Sequence, residues 1–257
     1  MNFVMPDLTG AVFWVALGKI IVANIILSGD NAVVIAMACR NLSDKHRKPA
    51  IIGGSLGAIV LRVIFVFMIT WLLSVPYLKL IGGALLLWIG VKLLNEEEGH
   101  GDGMKASSNL WSAVWTIIVA DAVMSLDNAI AIAAAANNDG VLIMIGLVIS
   151  IPIIIFGSTL LTNILQRYPV LVIIGGALLG WIGGEVMATD GKPPNVAVAP
   201  EGTIAAWLEH RIPHAEHVCA AAGALFVVVV GLWLARRRKP AEIVDLADKK
   251  DEGAHHG

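Results

Sequence analysis

Asn24-Ile-Ile-Leu-Ser28-Gly-Asp30-Asn31-Ala32 recurs almost intact as Asp121-Ala-Val-Met-Ser125-Leu-Asp127-Asn128-Ala129. Each copy sets an aspartate and an asparagine inside a long apolar run. An ionisable side chain near the middle of a membrane helix is rare and costly, so it marks a functional site by default. Two at matching positions point to a repeated membrane protein that handles a substrate.

The rest of the composition fits. Of 257 residues, 57% are hydrophobic and 15% are charged, against about 25% charged in a soluble domain. Mean hydropathy is +0.79. These values read as a polytopic membrane protein in contact with the lipid bilayer. A net charge of −2 without a basic face excludes nucleic acid as a partner. Cys39 and Cys219 stand far apart and outside any CxxC pair, so both read as small apolar side chains. The N-terminal apolar stretch has no basic region before it and is predicted to be the first membrane helix.

Seven apolar segments come near the roughly 20 residues that cross a bilayer. They run about 11–39, 49–73, 76–95, 110–136, 140–164, 169–188 and 216–235. Period-2 alternation is absent, and an open sheet cannot satisfy its edge in lipid, so the fold class is all-α membrane protein. The first and fourth segments exceed the needed length, which predicts tilt or a helix break. Arg40, Lys45, Arg47, Lys48, Lys92, Lys105, Arg167 and Arg236–Lys239 lie on one side; Lys79, Lys192 and Arg211 lie on the other. The positive-inside rule then places the N-terminus outside and the C-terminus in the cytoplasm of a multi-pass inner (cytoplasmic) membrane protein.

A second repeat signal supports the first. Ile81-Gly-Gly-Ala-Leu-Leu-Leu-Trp88-Ile-Gly90 echoes Ile174-Gly-Gly-Ala-Leu-Leu-Gly-Trp181-Ile-Gly183. Residues 8–95 and 109–188 are therefore predicted to be two copies of one three-helix unit. An odd-numbered unit repeated in tandem must be inverted in the membrane, with its interface near the midplane. The paired glycines read as close packing between the third and sixth spans. The seventh span, 216–235, has no repeat partner and is expected at the periphery. An external loop with a short amphipathic segment occupies 189–215, and the charged tail 240–257 is expected to be disordered.

Residues seven apart share a helix face. Asn24 and Asn31 align on that rule, as do Asp121 and Asn128, with Ser28 and Ser125 between them and Asp30 and Asp127 about 100° round. Each helix thus offers carboxylate, amide and hydroxyl oxygens, without histidine or cysteine. Hard oxygen donors suit magnesium, calcium and manganese. The candidate metal ligands are Asn24, Asp30, Asn31, Asp121, Asp127 and Asn128. The rival reading is hydrogen bonding between helices, which suits the asparagines and serines better than two buried carboxylates.

Other groups keep two readings each. Arg62, the other deep charge, either pairs with an aspartate in the ion-free state and is released by cation entry, or snorkels or sits in a static ion pair. Glu185 is a candidate exit-side ligand. His210, His214 and His217, with Glu209 and Glu216, read either as an outer metal-collecting site or as a wet interfacial segment. Glu96–Glu98 with His100 and Asp102 read either as a solvated loop or as a metal-sensing one.

With these residues placed, the chain resembles the TerC family of integral membrane proteins, its YjbE-like members in particular. LSGDNAVVIAMACRNL at 27–42, VPYLKLIGGALLLWIGVKLL at 75–94, VADAVMSLDNAIAIAAAA at 119–136 and GGALLGWIGGE at 175–185 carry the resemblance, which covers nearly all of 8–238. It implies a manganese exporter whose cation site is Asp30, Asn31, Asp127 and Asn128, with Asn24 and Asp121 also at matching family positions.

Three functions stay open on the residues. The first is export of a divalent cation, most simply Mn2+, by alternating access. The second is export of a small organic solute such as an amino acid, with Arg62 as the deep partner for its carboxylate. The third is a non-transport scaffold for metal loading of exported proteins. An enzyme is not expected, since no P-loop, nucleophile–base set or HExxH motif lies in the spans. No prosthetic cofactor is implied, and self-association is left open. Oxygen ligands alone do not rank manganese against calcium or magnesium.

Overall fold

A computed structural model describes residues 11–27, 29–72, 75–95, 103–135, 140–192, 196 and 198–237. Among them every regular element is a helix: α1 Ala11–Leu27, α2 Gly29–Cys39, α3 Asp44–Leu72, α4 Leu78–Asn95, α5 Gly103–Ala135, α6 Gly140–Arg167, α7 Val170–Ala188, α8 Ile204–Arg211 and α9 Ala215–Arg237. The loop around Glu96–Glu98 and the tail from 238 lie outside the described residues.

Five helical stretches are long and apolar enough to cross a membrane: Asp44–Phe65, Leu78–Asn95, Ile143–Arg167, Val170–Ala188 and Ala215–Arg237. The two remaining apolar runs of the sequence carry the aspartate motifs and include residues outside the described ones; their described stretches hold the shorter apolar helices Phe13–Val22, Gly29–Cys39 and Leu110–Leu126. Large apolar side chains face outward around the bundle, such as Phe156 at 74% and Trp111 at 72% exposure. A water-soluble monomer rarely shows so much apolar surface.

Glycine sets how the helices meet. α4 and α7 cross antiparallel. A Cβ added at Gly83 would strike the Gly183 carbonyl, one at Gly90 would come 3.4 Å from Leu179 Cβ, and one at Gly176 would press on Leu94. Both glycine-rich copies are thus used to bring backbones together. α9 joins the same seam: a Cβ at Gly180 would strike the Gly223 carbonyl, and one at Gly184 the Cys219 carbonyl. The last helix therefore packs into the α4–α7 pair, more tightly than a peripheral span requires. Each acid-bearing run packs on the other half's middle helix: α1 and α2 on α6, and α5 on α3. Gly146 sits against Ile20 in the first contact, and Gly54 against Ile117 in the second. Cys39 is fully buried among apolar neighbours.

Outside the bundle, Asp190 follows α7 and accepts the backbone N–H groups of Lys79 at 3.0 Å and Leu80 at 3.3 Å. These are orphan donors of the first turn of α4, so a carboxylate from the far end of the chain caps that helix. The short amphipathic segment is α8, started by Thr203, whose hydroxyl accepts the Ala206 N–H at 3.2 Å.

Candidate functional site

The first copy of the motif opens α2. Asp30 lies in its first turn, half-buried, and its Oδ1 accepts the Asn31 N–H at 2.8 Å. A carboxylate is favoured there because the first N–H groups of a helix lack partners and the helix dipole is positive at that end. Asn31 is 3% exposed, and among the described residues neither its amide oxygen nor its amide nitrogen has a hydrogen-bond partner. A buried amide with no partner costs free energy, so it is a place to look for a ligand.

The second copy lies on α5, where Asp121 and Ser125 are buried one helical turn apart. Arg62 reaches them from α3 and is 1% exposed. Its Nη2 stands 2.5 Å from Asp121 Oδ1, its Nε donates to Ser125 Oγ at 3.0 Å, and Ser125 donates to Asp121 Oδ2 at 3.0 Å. The three side chains close a ring, and both Asp121 oxygens are engaged. Arg62 is thus ion-paired rather than snorkelling, as both the releasable and the static pair read for it require. α2, α3 and α5 pack on one another, so the two copies of the motif share one neighbourhood.

The structure therefore brings Asp30, Asn31 and Asp121 toward one region. Asn24 lies on α1, and Asp127 and Asn128 on α5, with side chains outside the described residues. Ser28, between Leu27 and Gly29, lies outside the described residues. Among the described side chains no three His, Cys, Asp or Glu gather to hold a metal ion; Asp127 is not among them. Ser55 is a further candidate. It lies seven residues before Arg62 on α3, buried, with no partner for its hydroxyl. A serine inside a small-residue run gave no sequence signal beyond helix packing.

Two cavities flank this region at opposite ends of the bundle. One of about 60 Å³ is lined by Leu126, next to Asp127 in sequence, and by Lys79, Asp190 and Lys192. The other, about 230 Å³, lies beyond the C-terminal end of α2, between Arg40, Leu94, Gln166 and Leu232.

The histidine-rich outer segment is committed elsewhere. Lys192 Nζ lies 2.6 Å from Glu209 Oε1 and 2.7 Å from Glu216 Oε1, and the Ala199 N–H donates to Glu209 Oε2 at 3.1 Å. Hydrogen bonding to Lys192 holds the Glu209 carboxyl below the usual carboxylate range, and the two glutamates raise Lys192. His214 and His217 stack on each other, and His217 stacks on Trp181. This clasp and stack, rather than a metal-collecting site, is what the segment builds. Glu185 is half-buried beside Gly184, at the α7–α9 seam.

The comparisons agree with this architecture. The model of the "Integral membrane protein TerC family" matches residues 9–239. The chain is 42% identical over 192 residues to the "Uncharacterized membrane protein YjbE" of Bacillus subtilis (strain 168), covering 75% of this chain and 87% of that one. It is 32% identical over 149 residues to YceF of the same organism, covering 54% and 58%. To the "UPF0053 protein YegH" of Escherichia coli (strain K12) it is 29% identical over 195 residues, covering 68% of this chain and 37% of that one. No solved structure matches.

Proposed function

The chain belongs to the TerC family of integral membrane proteins, and from that premise we propose that it exports a divalent cation, Mn2+ in the first instance, by alternating access. The observation that carries this reading is the pairing of half-buried Asp30 with the buried amide of Asn31, which has no hydrogen-bond partner among the described residues. Asp30 and Asp127 supply the charge that draws a dication out of water. The amide oxygens of Asn24, Asn31 and Asn128 replace part of its hydration shell. Asp121 stands beside this set, held by Arg62 and Ser125.

Seven spans and an inverted repeat are part of the same proposal. Two observations support it. The glycine-rich copies cross antiparallel, and each acid-bearing run packs on the middle helix of the other half. Cavities at opposite ends of the bundle fit a site approached from one side at a time. The positive-inside pattern sets the direction of the chain, N-terminus out.

An organic carboxylate as substrate would need a deep cation to receive it, and Arg62 already binds Asp121. That favours the metal. The test is Mn2+ efflux from loaded cells or vesicles. Asp30→Ala and Asp127→Ala should each abolish it while the protein still inserts in the membrane. Wild-type efflux by either variant would remove the site assignment.

A further inference from the structure

Resting on the cation-site reading above, we infer that Arg62 is a permanent internal counter-ion to Asp121, fixing the charge of the site at minus two and fitting it to a divalent ion.

Geometry is the first argument. Arg62 grips Asp121 and Ser125 through two different nitrogens, and Ser125 closes the ring on the second Asp121 oxygen. All three side chains are at least nine-tenths out of solvent. Pulling the pair apart would strand two buried charges, which is far costlier than keeping it. Arginine also cannot give up its proton as an ion passes, so the neutralisation holds in every state of the cycle.

The repeat supplies the second argument. Superposing the two motifs sets Asp121 opposite Asn24, so the second copy of the motif has one acid more than the first. With both motif pairs in register, Arg62 falls opposite the stretch 155–159, Ile-Phe-Gly-Ser-Thr, which holds no charge. Thus Arg62, which has no counterpart in the other half, meets the one motif acid that has none. Once they cancel, one acid per motif copy remains in the sequence, Asp30 and Asp127.

Electrostatics gives this arithmetic its consequence. At low dielectric a filled site is stable when ion and ligands sum to zero. Two free carboxylates meet that condition with a dication. A monovalent ion would leave the site short by one charge. A third free carboxylate would leave one in excess and hold the dication too tightly to release.

The experiment uses the full chain in lipid vesicles with Mn2+ as probe, reading Kd, efflux rate, and competition by Na+ and K+. D121N should weaken Mn2+ binding by about tenfold or more and relax exclusion of monovalent ions. R62Q should hold Mn2+ at least as tightly as the parent and slow efflux by about tenfold. R62Q/D121N should regain a Kd near that of the parent, together with its selectivity. A folded double variant as weak as D121N would overturn the inference and make Asp121 a direct ligand; so would D121N binding Mn2+ like the parent. If these variants do not fold, R62K/D121E keeps both charges in altered shape and should bind Mn2+ nearly as the parent does, whereas a folded but non-binding R62K/D121E protein would overturn the inference. D30N/D127N separates the two readings. If it abolishes Mn2+ binding while the double fails to rescue, only the counter-ion inference falls; if it still binds Mn2+, the cation site itself falls.

Discussion

Arg62 and Asp121, 59 residues apart in sequence, form a 2.5 Å ion pair between α3 and α5, with side chains 2% and 8% exposed. Such a pair adds little net stability when intact, yet breaking it is severe. Arg62→Met should destabilise the protein by about 3–5 kcal/mol, because Asp121 is left charged and buried. Arg62→Met with Asp121→Leu should recover most of that loss. Unfolding of the four proteins in detergent gives the interaction energy as a double-mutant cycle. Additive effects would mean that the pair does not hold α3 to α5.

Asn31 is expected to separate stability from function. Its amide is buried and both polar atoms lack partners, a condition that costs about 1–3 kcal/mol. Asn31→Leu removes the cost and keeps the volume close, so the unfolding midpoint should hold or rise. Mn2+ binding should fall in the same protein, because an oxygen ligand is gone. A variant that is destabilised and still binds Mn2+ would show that the amide serves packing alone.

Much of this was legible in the chain itself, and the rest was hidden for identifiable reasons. The acids of the two copies stood out because apolar surroundings make them expensive. The Gly-Gly pairs announced the α4–α7 crossing because only small residues allow such an approach. Partner choice is different. Nothing local tells Arg62 to take Asp121 rather than Asp30, since the decision depends on how α3 lies along α5. The cap from Asp190 to Lys79 and Leu80 spans more than a hundred residues and leaves no local trace. Glu209 and Glu216 looked available to the histidines until the fold brought Lys192 between them.

The α7–α9 seam gives a sharp contrast between glycines. Gly184→Ala would drive its methyl into the Cys219 carbonyl, a backbone group that cannot turn aside. Overpacking of this kind typically costs about 1–3 kcal/mol. Gly18 lies in α1 with nothing near its missing Cβ, so Gly18→Ala should be neutral or should stabilise by up to about 1 kcal/mol through helix propensity. Detergent unfolding midpoints of the two variants provide the check. Equal effects would mean that α9 does not pack against α7 as closely as the backbone indicates.

The outer clasp should respond to pH with a definite sign. Glu209 is held below the usual carboxylate range by Lys192, so its contribution is complete above that range and is lost as acid protonates it. Lys192 is raised by Glu209 and Glu216, so its contribution is complete below the ordinary lysine range and is lost only in strong base. The clasp is therefore intact across neutral pH and opens on the acid side first. Glu209 lies near the surface, so high salt should weaken the same contacts. Hydrogen exchange across 198–211 reads this directly, because α8 and the Ala199 N–H depend on the clasp. Protection, corrected for intrinsic exchange rates, should fall below the carboxylate range, and Glu209→Gln should show the same loss already at neutral pH. If acid leaves protection of 198–211 unchanged, the Lys192 bridges do not secure the segment.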